Sequence, residues 1–195
     1  MCLQNQKLPN SIIDNMKFTL LITTALALFA TASTAMPTHQ NCAIANSSAP
    51  SSSSSGYDIH LKSDTAFCSF MPPHPGDNVG ATENNGIPFC TNATLGGQVF
   101  PQGFIKTAHF LNTTDYAQVT GTIDRAAYQL DPNDGGGQYD NMDIKNVTCN
   151  GYKFFVNLIE PDANVFCIRC CENQSDCNLG ISTYGCERIV PGDYS

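Results

Sequence analysis

The chain has 195 residues, 42% of them hydrophobic, with 9 basic and 17 acidic side chains and a net charge of −8. That length predicts one domain, or two very small ones. The acidic balance repels phosphate backbones and anionic lipid, which argues against nucleic acid or a negatively charged membrane as partner.

The first stretch reads as an export signal. Met16 and Lys17 precede an apolar run from Phe18 to Ala30, broken only by threonines, and small residues follow to Ala35. A charged start, an apolar centre and a small-x-small site are the parts of a cleavable signal peptide. Cleavage is expected after Ala35, with Ala32 as the second choice, so residues 1–35 are removed. Residues 1–15 are polar and fit poorly before such a signal, which points to Met16 as the true start and leaves Cys2 without a role. The apolar run falls short of the roughly 20 residues a membrane span needs. With no later hydrophobic segment and no lipid-anchor tail after Pro191, no stable membrane span is expected after cleavage. The product would carry 7 basic and 16 acidic residues.

Residues 36–56 hold five consecutive serines, Ser51 to Ser55, after Ser47-Ser48-Ala49-Pro50. Such a segment buries too little apolar surface to offset its ordering entropy, so a disordered spacer is expected. The secreted domain then spans residues 57–195.

Within that domain the pattern is one of short strands. Candidates are residues 57–62, 103–111, 116–123, a short return at 126–130, 152–159 and 165–171. In residues 116–123, Ala117, Val119 and Ile123 share one face and Gln118, Thr120 and Thr122 the other. Between the strands lie Pro72-Pro73, Asn84-Asn85-Gly86, Gly96-Gly97, residues 131–137 and Asn150-Gly151. Gly and Asn tolerate positive φ and Pro fixes φ, so these are turns. The fold class expected is all-β and mainly antiparallel, a small disulfide-stapled sandwich or barrel with long loops.

Nine cysteines remain after residue 35. Eight fall in the domain: Cys68, Cys90, Cys149, Cys167, Cys170, Cys171, Cys177 and Cys186. In an exported chain that density reads as a disulfide framework. The odd one is Cys42, upstream of the serine tract. Zinc at Cys167-x-x-Cys170 is the competing reading, and it lacks a second ligand pair at knuckle spacing. Eight cysteines can pair in 105 ways, so spacing leaves connectivity open. Neighbouring Cys170 and Cys171 are expected to bond to different partners. Asn-x-Ser/Thr acceptors for N-glycosylation stand at Asn46, Asn92, Asn112, Asn146 and Asn173, which predicts exposed loops at these positions.

Catalytic and metal signatures are sparse. The Asp131-Pro132-Asn133-Asp134-Gly135-Gly136-Gly137 run with Asp140 and Asp143 offers oxygen ligands on a bent loop. Its spacing fails the EF-hand pattern, with Gly135 at the fifth position and Met142 at the twelfth, so a solvated acidic turn is the plainer reading. His109 lies on a candidate strand without a partner histidine at metal spacing, and His60 and His74 are equally isolated. No Gly-x-Ser-x-Gly elbow or His-Glu-x-x-His helix occurs. Glu160 and Asp162 are neighbours in sequence, which means little without geometry. No catalytic residue, cofactor or metal is therefore assigned. The chain has no Trp, but Tyr57, Tyr116, Tyr128, Tyr139, Tyr152 and Tyr184 offer stacking surfaces for sugars.

Three blocks in order carry a family likeness. The first is Phe67-Cys68, Met71-Pro72-Pro73-His74-Pro75-Gly76, Gly80, Glu83 and Phe89-Cys90-Thr91. The second is Pro101-x-Gly103-Phe104-Ile105, Ala108-His109-Phe110 and Asp115-Tyr116-Ala117-Gln118-Val119-Thr120-Gly121. The third is Phe166-Cys167-Ile168-Arg169-x-Cys171, Cys177, Gly185-Cys186 and Pro191-Gly192-x-Tyr194. With these the chain resembles fungal secreted cysteine-rich glycoproteins related to the macrophage-activating glycoprotein of basidiomycetes. The resemblance implies an extracellular or wall-associated glycoprotein and supplies no catalytic residues. Cys170 departs from the family pattern, where a small residue is usual, which suggests Cys149–Cys170 as an extra pair. The serine/threonine-rich C-terminal extension of some relatives is missing, so wall attachment by such a tail is not expected.

The expected bridges are Cys68–Cys90, closing the Pro-rich loop, and one cluster of the remaining six cysteines. The first functional expectation is a secreted, non-enzymatic glycoprotein at the fungal cell wall or host-facing surface, meeting wall glycans or host proteins. The second is a glycan-binding module using exposed tyrosines. The third is an unrecognised extracellular hydrolase, which needs a cleft where His109 meets carboxylates. The oligomeric state is left open.

Overall fold

The alternation of apolar and polar residues is realised as short strands in a computed structural model that describes residues 56–195. The export signal with its Ala35 site, the serine run, Cys42 and Asn46 lie outside the described residues. The strands are β1 (Tyr57–Ile59), β2 (Leu61–Ser63), β3 (Ala66–Met71), β4 (Ile87–Cys90), β5 (Gln98–Val99), β6 (His109–Asn112), β7 (Tyr116–Thr122), β8 (Gly137–Asp140), β9 (Val147–Cys149), β10 (Phe154–Glu160) and β11 (Val165–Cys171). One short helix, α1 (Gly185–Ile189), follows.

A five-stranded antiparallel sheet runs in the order β6-β7-β11-β10-β8. A four-stranded sheet, β2-β3-β4-β5, packs on it, and β1 pairs with β9 in a small parallel ladder. The fold is therefore all-β and mainly antiparallel, with two sheets face to face and no closed barrel. Aromatic residues fill the space between them. Phe67 of β3 stacks on Phe166 of β11 with centroids 5.7 Å apart, and Phe70 stacks on Phe155 of β10 at 5.1 Å. Asn157 of β10 is fully buried in this layer. Its oxygen accepts the Ser69 hydroxyl at 3.0 Å and the Phe70 N–H, while its amide donates to the Cys167 carbonyl at 3.2 Å. A buried amide must satisfy its donors and acceptors, and Asn157 does so by tying β3 to β10 and β11.

The outer face of the five-stranded sheet is covered as well. Val156, Leu158, Cys167 and Cys171 pack with Cys177, Cys186, Ile189 and Val190 in a second apolar cluster. Residues 172–195 thus form a third layer. Gln118 Nε2 donates to the Pro191 carbonyl at 2.9 Å and the Thr120 hydroxyl donates to that of Asp193. Arg169 is buried beneath this layer. Its guanidinium donates to Gln118 Oε1 and to the Asp176 carbonyl, and lies 4.1 Å from the Tyr116 ring centroid. Burial lowers its pKa, and Tyr116, Tyr194 and Asp176 oppose that shift.

Four disulfides occur among the described residues: Cys68–Cys90, Cys149–Cys170, Cys167–Cys186 and Cys171–Cys177. Cys167–Cys186 and Cys171–Cys177 anchor the third layer to β11. Cys149–Cys170 fastens β9 to the inner face of the large sheet.

Two local expectations are corrected. Residues 126–130 do not return as a strand; Arg125–Tyr128 is a 3₁₀ turn. Asp124 caps it by accepting the Ala126 N–H, and Gln129 ends it at φ 57°. Residues 103–111 form a continuous strand only from His109: Pro101 and Gly103 hold the start in a turn that places Phe104 in the core, and beyond it Ile105 makes a single antiparallel bridge to Ile123.

Candidate functional site

At the end of the sheet where β10 passes into β11, loops and the third layer enclose an open cleft of about 900 Å³. Its floor is glycine. Gly136 has φ 93°, and a β-carbon there would lie 2.1 Å from the Ile159 carbonyl oxygen. Only glycine allows that close approach. The 131–137 loop is fixed by buried Asp134, whose carboxylate accepts the Val79 N–H at 2.8 Å and the Gly136 N–H at 2.9 Å.

Four carboxylates line the cleft: Glu83, Glu160, Asp162 and Glu187. Glu83 accepts the Gln138 N–H at 2.9 Å, and Glu160 accepts the Cys186 N–H at 3.1 Å. Gly185 permits the latter contact, since a β-carbon there would fall 2.6 Å from Glu160 Oε1. Burial pushes the Glu160 carboxyl above its usual range; the Cys186 N–H opposes this, and Asp162 and Glu187 add to it. Raised carboxyls of this kind donate protons at higher pH than free ones. Ser182, Thr183 and Tyr184 form the rim, and Tyr184 is 66% exposed. The lining is acidic and hydroxylated with one exposed ring, and it contains no Lys, Arg or His.

His109 does not join these carboxylates. It sits on β6, at the opposite edge of the sheet from β8. Its Nε2 lies 3.0 Å from the Ser195 carbonyl and its Nδ1 3.6 Å from Asp193, so it holds the end of the third layer. His60 and His74 lie 3.7 Å and 3.0 Å from Asp58 and Asp77. Three carboxylates of the Asp131-to-Asp143 run accept backbone N–H groups: Asp131 that of Asn133, Asp134 those of Val79 and Gly136, and Asp140 those of Met142 and Asp143. Among the described residues no group of three or more His, Cys, Asp or Glu is placed to hold a metal ion.

The tyrosine expectation is narrowed. Tyr128 and Tyr139 are buried, Tyr116 and Tyr152 are half-buried, and only Tyr57 and Tyr184 of the six are exposed. Tyr128 donates to the Pro72 carbonyl at 2.9 Å, and burial, with Asp77, pushes its hydroxyl up to about 12. Asn92, Asn112, Asn146 and Asn173 are all exposed. In the sequence Glu83 has a place only in the family resemblance and Glu187 has none, and neither is assigned to a site; they reach the cleft from distant segments, and only the glycine run marked the loop between them.

No helix among the described residues is long and apolar enough to cross a membrane. No family model matches the chain, and no solved structure matches it. It is similar to two fungal proteins of Mycosarcoma maydis. One is "Appressorium protein ROW1", 31% identical over 147 residues, covering 66% of this chain and 34% of the relative. The other is "Appressorium protein ROW2", 34% identical over 85 residues, covering 43% of this chain and 29% of the relative. The chain thus spans about a third of the length of the curated relatives it matches, and the likeness is to fungal proteins named for the appressorium and not for a reaction.

Proposed function

We propose that this chain is a secreted fungal glycoprotein that acts at the cell wall or host-facing surface by binding and not by catalysis. The observation that carries this reading is the set of four bridges in a domain similar to fungal appressorium proteins. Structural disulfides persist in oxidising compartments and are rare in the cytosol. The likeness to the macrophage-activating glycoprotein group supports the same location. On this reading residues 1–35 are a removable leader and residues 36–56 a spacer ahead of the domain.

The test is fractionation of a tagged chain expressed in a filamentous fungus. Recovery from medium or wall, starting near Met36, is the expected result. Retention in the cytosol with reduced cysteines contradicts the reading.

The cleft favours a second reading, that the surface role includes glycan binding. Tyr184 is the observation behind it: an exposed ring beside two hydroxyls and several carboxylates suits a sugar face and its hydroxyl groups. A glycan array with the purified domain, compared with its Tyr184→Ala variant, decides this. Binding to chitin, glucan or mannan that falls with the substitution supports it, and no binding removes it.

A further inference from the structure

We infer that N-linked glycans on Asn112, Asn146 and Asn173 gather at one end of the five-stranded sheet and shield the 141–153 connection from proteolysis, with none of these three at the cleft end. The inference rests on the secreted reading above, because the glycan donor is met only on the export route.

Strand register places the three acceptors together. Asn112 ends β6 opposite Ala117, near the start of β7. Tyr116 pairs with Cys171, and Cys171 with Phe154, so the start of β7, the end of β11 and the start of β10 share one end of the sheet. Asn173 follows β11 by two residues. The Glu172 N–H donates to the Asp115 carbonyl at 2.9 Å, joining the Asn173 segment to the turn after Asn112. Asn146 lies in the connection from β8 to β10, which leaves β8 at Asp140, next to Val156. The cleft lies at the other end, where Glu160 pairs with Val165 and Ile159 with Gly137. Seven-residue strands separate the two ends by roughly 20 Å. None of the acceptors lines the cleft.

The connection at the acceptor end needs cover. On either side of β9 the backbone leaves regular structure, with positive φ at Asn146, Asn150 and Gly151. Lys145 and Lys153 are exposed, and Met142 is 55% exposed. Exposed irregular segments with polar side chains are preferred sites of nicking. Lys145 immediately precedes Asn146, so a glycan on Asn146 stands over the peptide bond that a trypsin-like protease would cut.

The chemistry is a glycosyl transfer. The Asn Nδ2 forms a bond to C1 of an oligosaccharide carried on a lipid pyrophosphate. The C1–O bond to that pyrophosphate breaks, the lipid pyrophosphate leaves with the bonding pair, and one amide proton is lost to solvent.

The test uses the full chain secreted from a glycosylating yeast. Glycopeptide mapping is expected to find all three sites occupied. Native trypsin digestion, before and after enzymatic glycan removal from the folded protein, is expected to cut after Lys145 and Lys153 at least tenfold faster once glycans are gone. Cleavage after Arg188, in α1 beside the cleft, should not change. The Asn146→Gln variant should reproduce the effect at Lys145. Secretion with these sites bare overturns this inference and leaves the secreted reading intact, as does equal cleavage with and without glycans. Failure of secretion overturns both.

Discussion

The side-chain oxygen of Asn157 accepts the backbone N–H of Phe70 across the gap between the two sheets. This is a polar tie inside an aromatic core, and it fixes how β3 sits on β10. Asn157→Ala removes it and leaves the Phe70 N–H, the Ser69 hydroxyl and the Cys167 carbonyl without this partner. Unsatisfied buried groups are costly, so denaturant unfolding should show a loss of about 2–4 kcal/mol. Ser69→Ala, which deletes one donor, should cost about 1 kcal/mol.

The third layer depends on its bridges. Cys167 and Cys186 are separated by 19 residues. Replacing both with Ser should lower stability by about 2–4 kcal/mol. Hydrogen exchange should locate the loss: amides of residues 185–190 lose protection first, while β3 and β4 keep theirs. Uniform loss across both sheets would show that the third layer is not a separate unit.

Glu160 gives the cleft a pH signature. Its carboxyl is raised by burial. Between the ordinary glutamate value of about 4.3 and the raised one, the folded chain keeps a proton that the unfolded chain has released. Stability contributed by this group therefore falls as pH rises through that window. Glu160→Gln keeps an acceptor for the Cys186 N–H and removes the titration. Thermal unfolding across mildly acidic to neutral pH should show a shallower decline for the variant, with the variant more stable at neutral pH. Parallel curves would mean Glu160 is not perturbed.

Gly136 tests the floor of the cleft. Its φ of 93° and its approach to the Ile159 carbonyl leave no room for a methyl group. Gly136→Ala should destabilise the fold by about 1–3 kcal/mol, read by chemical denaturation. Gly103, also at positive φ but with open space around it, should feel only the backbone strain and so cost less.

Much of this fold was legible in the alternation of residues. Residues 116–123 show their inner set, Ala117, Val119 and Ile123, and the turns at Asn150-Gly151 and Gly96 fall at positive φ as their residue types suggest. The outer set was read less well. Gln118, Thr120 and Arg169 look like solvent-facing positions and are buried, because a polar residue in a strand does not reveal that a later segment will hydrogen-bond over it. β3 and β4 were also missed. Ala66–Met71 is apolar on both faces but for Ser69, and Ile87–Cys90 contains Pro88, so neither alternates. The cleft was least legible, since Glu83 and Glu187 meet only through the packing of the 131–137 loop and the third layer.

The most direct test of an export-built, bridge-clamped surface domain is non-reducing peptide mapping of the chain recovered from a fungal culture. The expected result is a secreted protein with Cys68–Cys90, Cys149–Cys170, Cys167–Cys186 and Cys171–Cys177 linked. Recovery of the chain only from inside the cell, with these eight cysteines as free thiols, would contradict it.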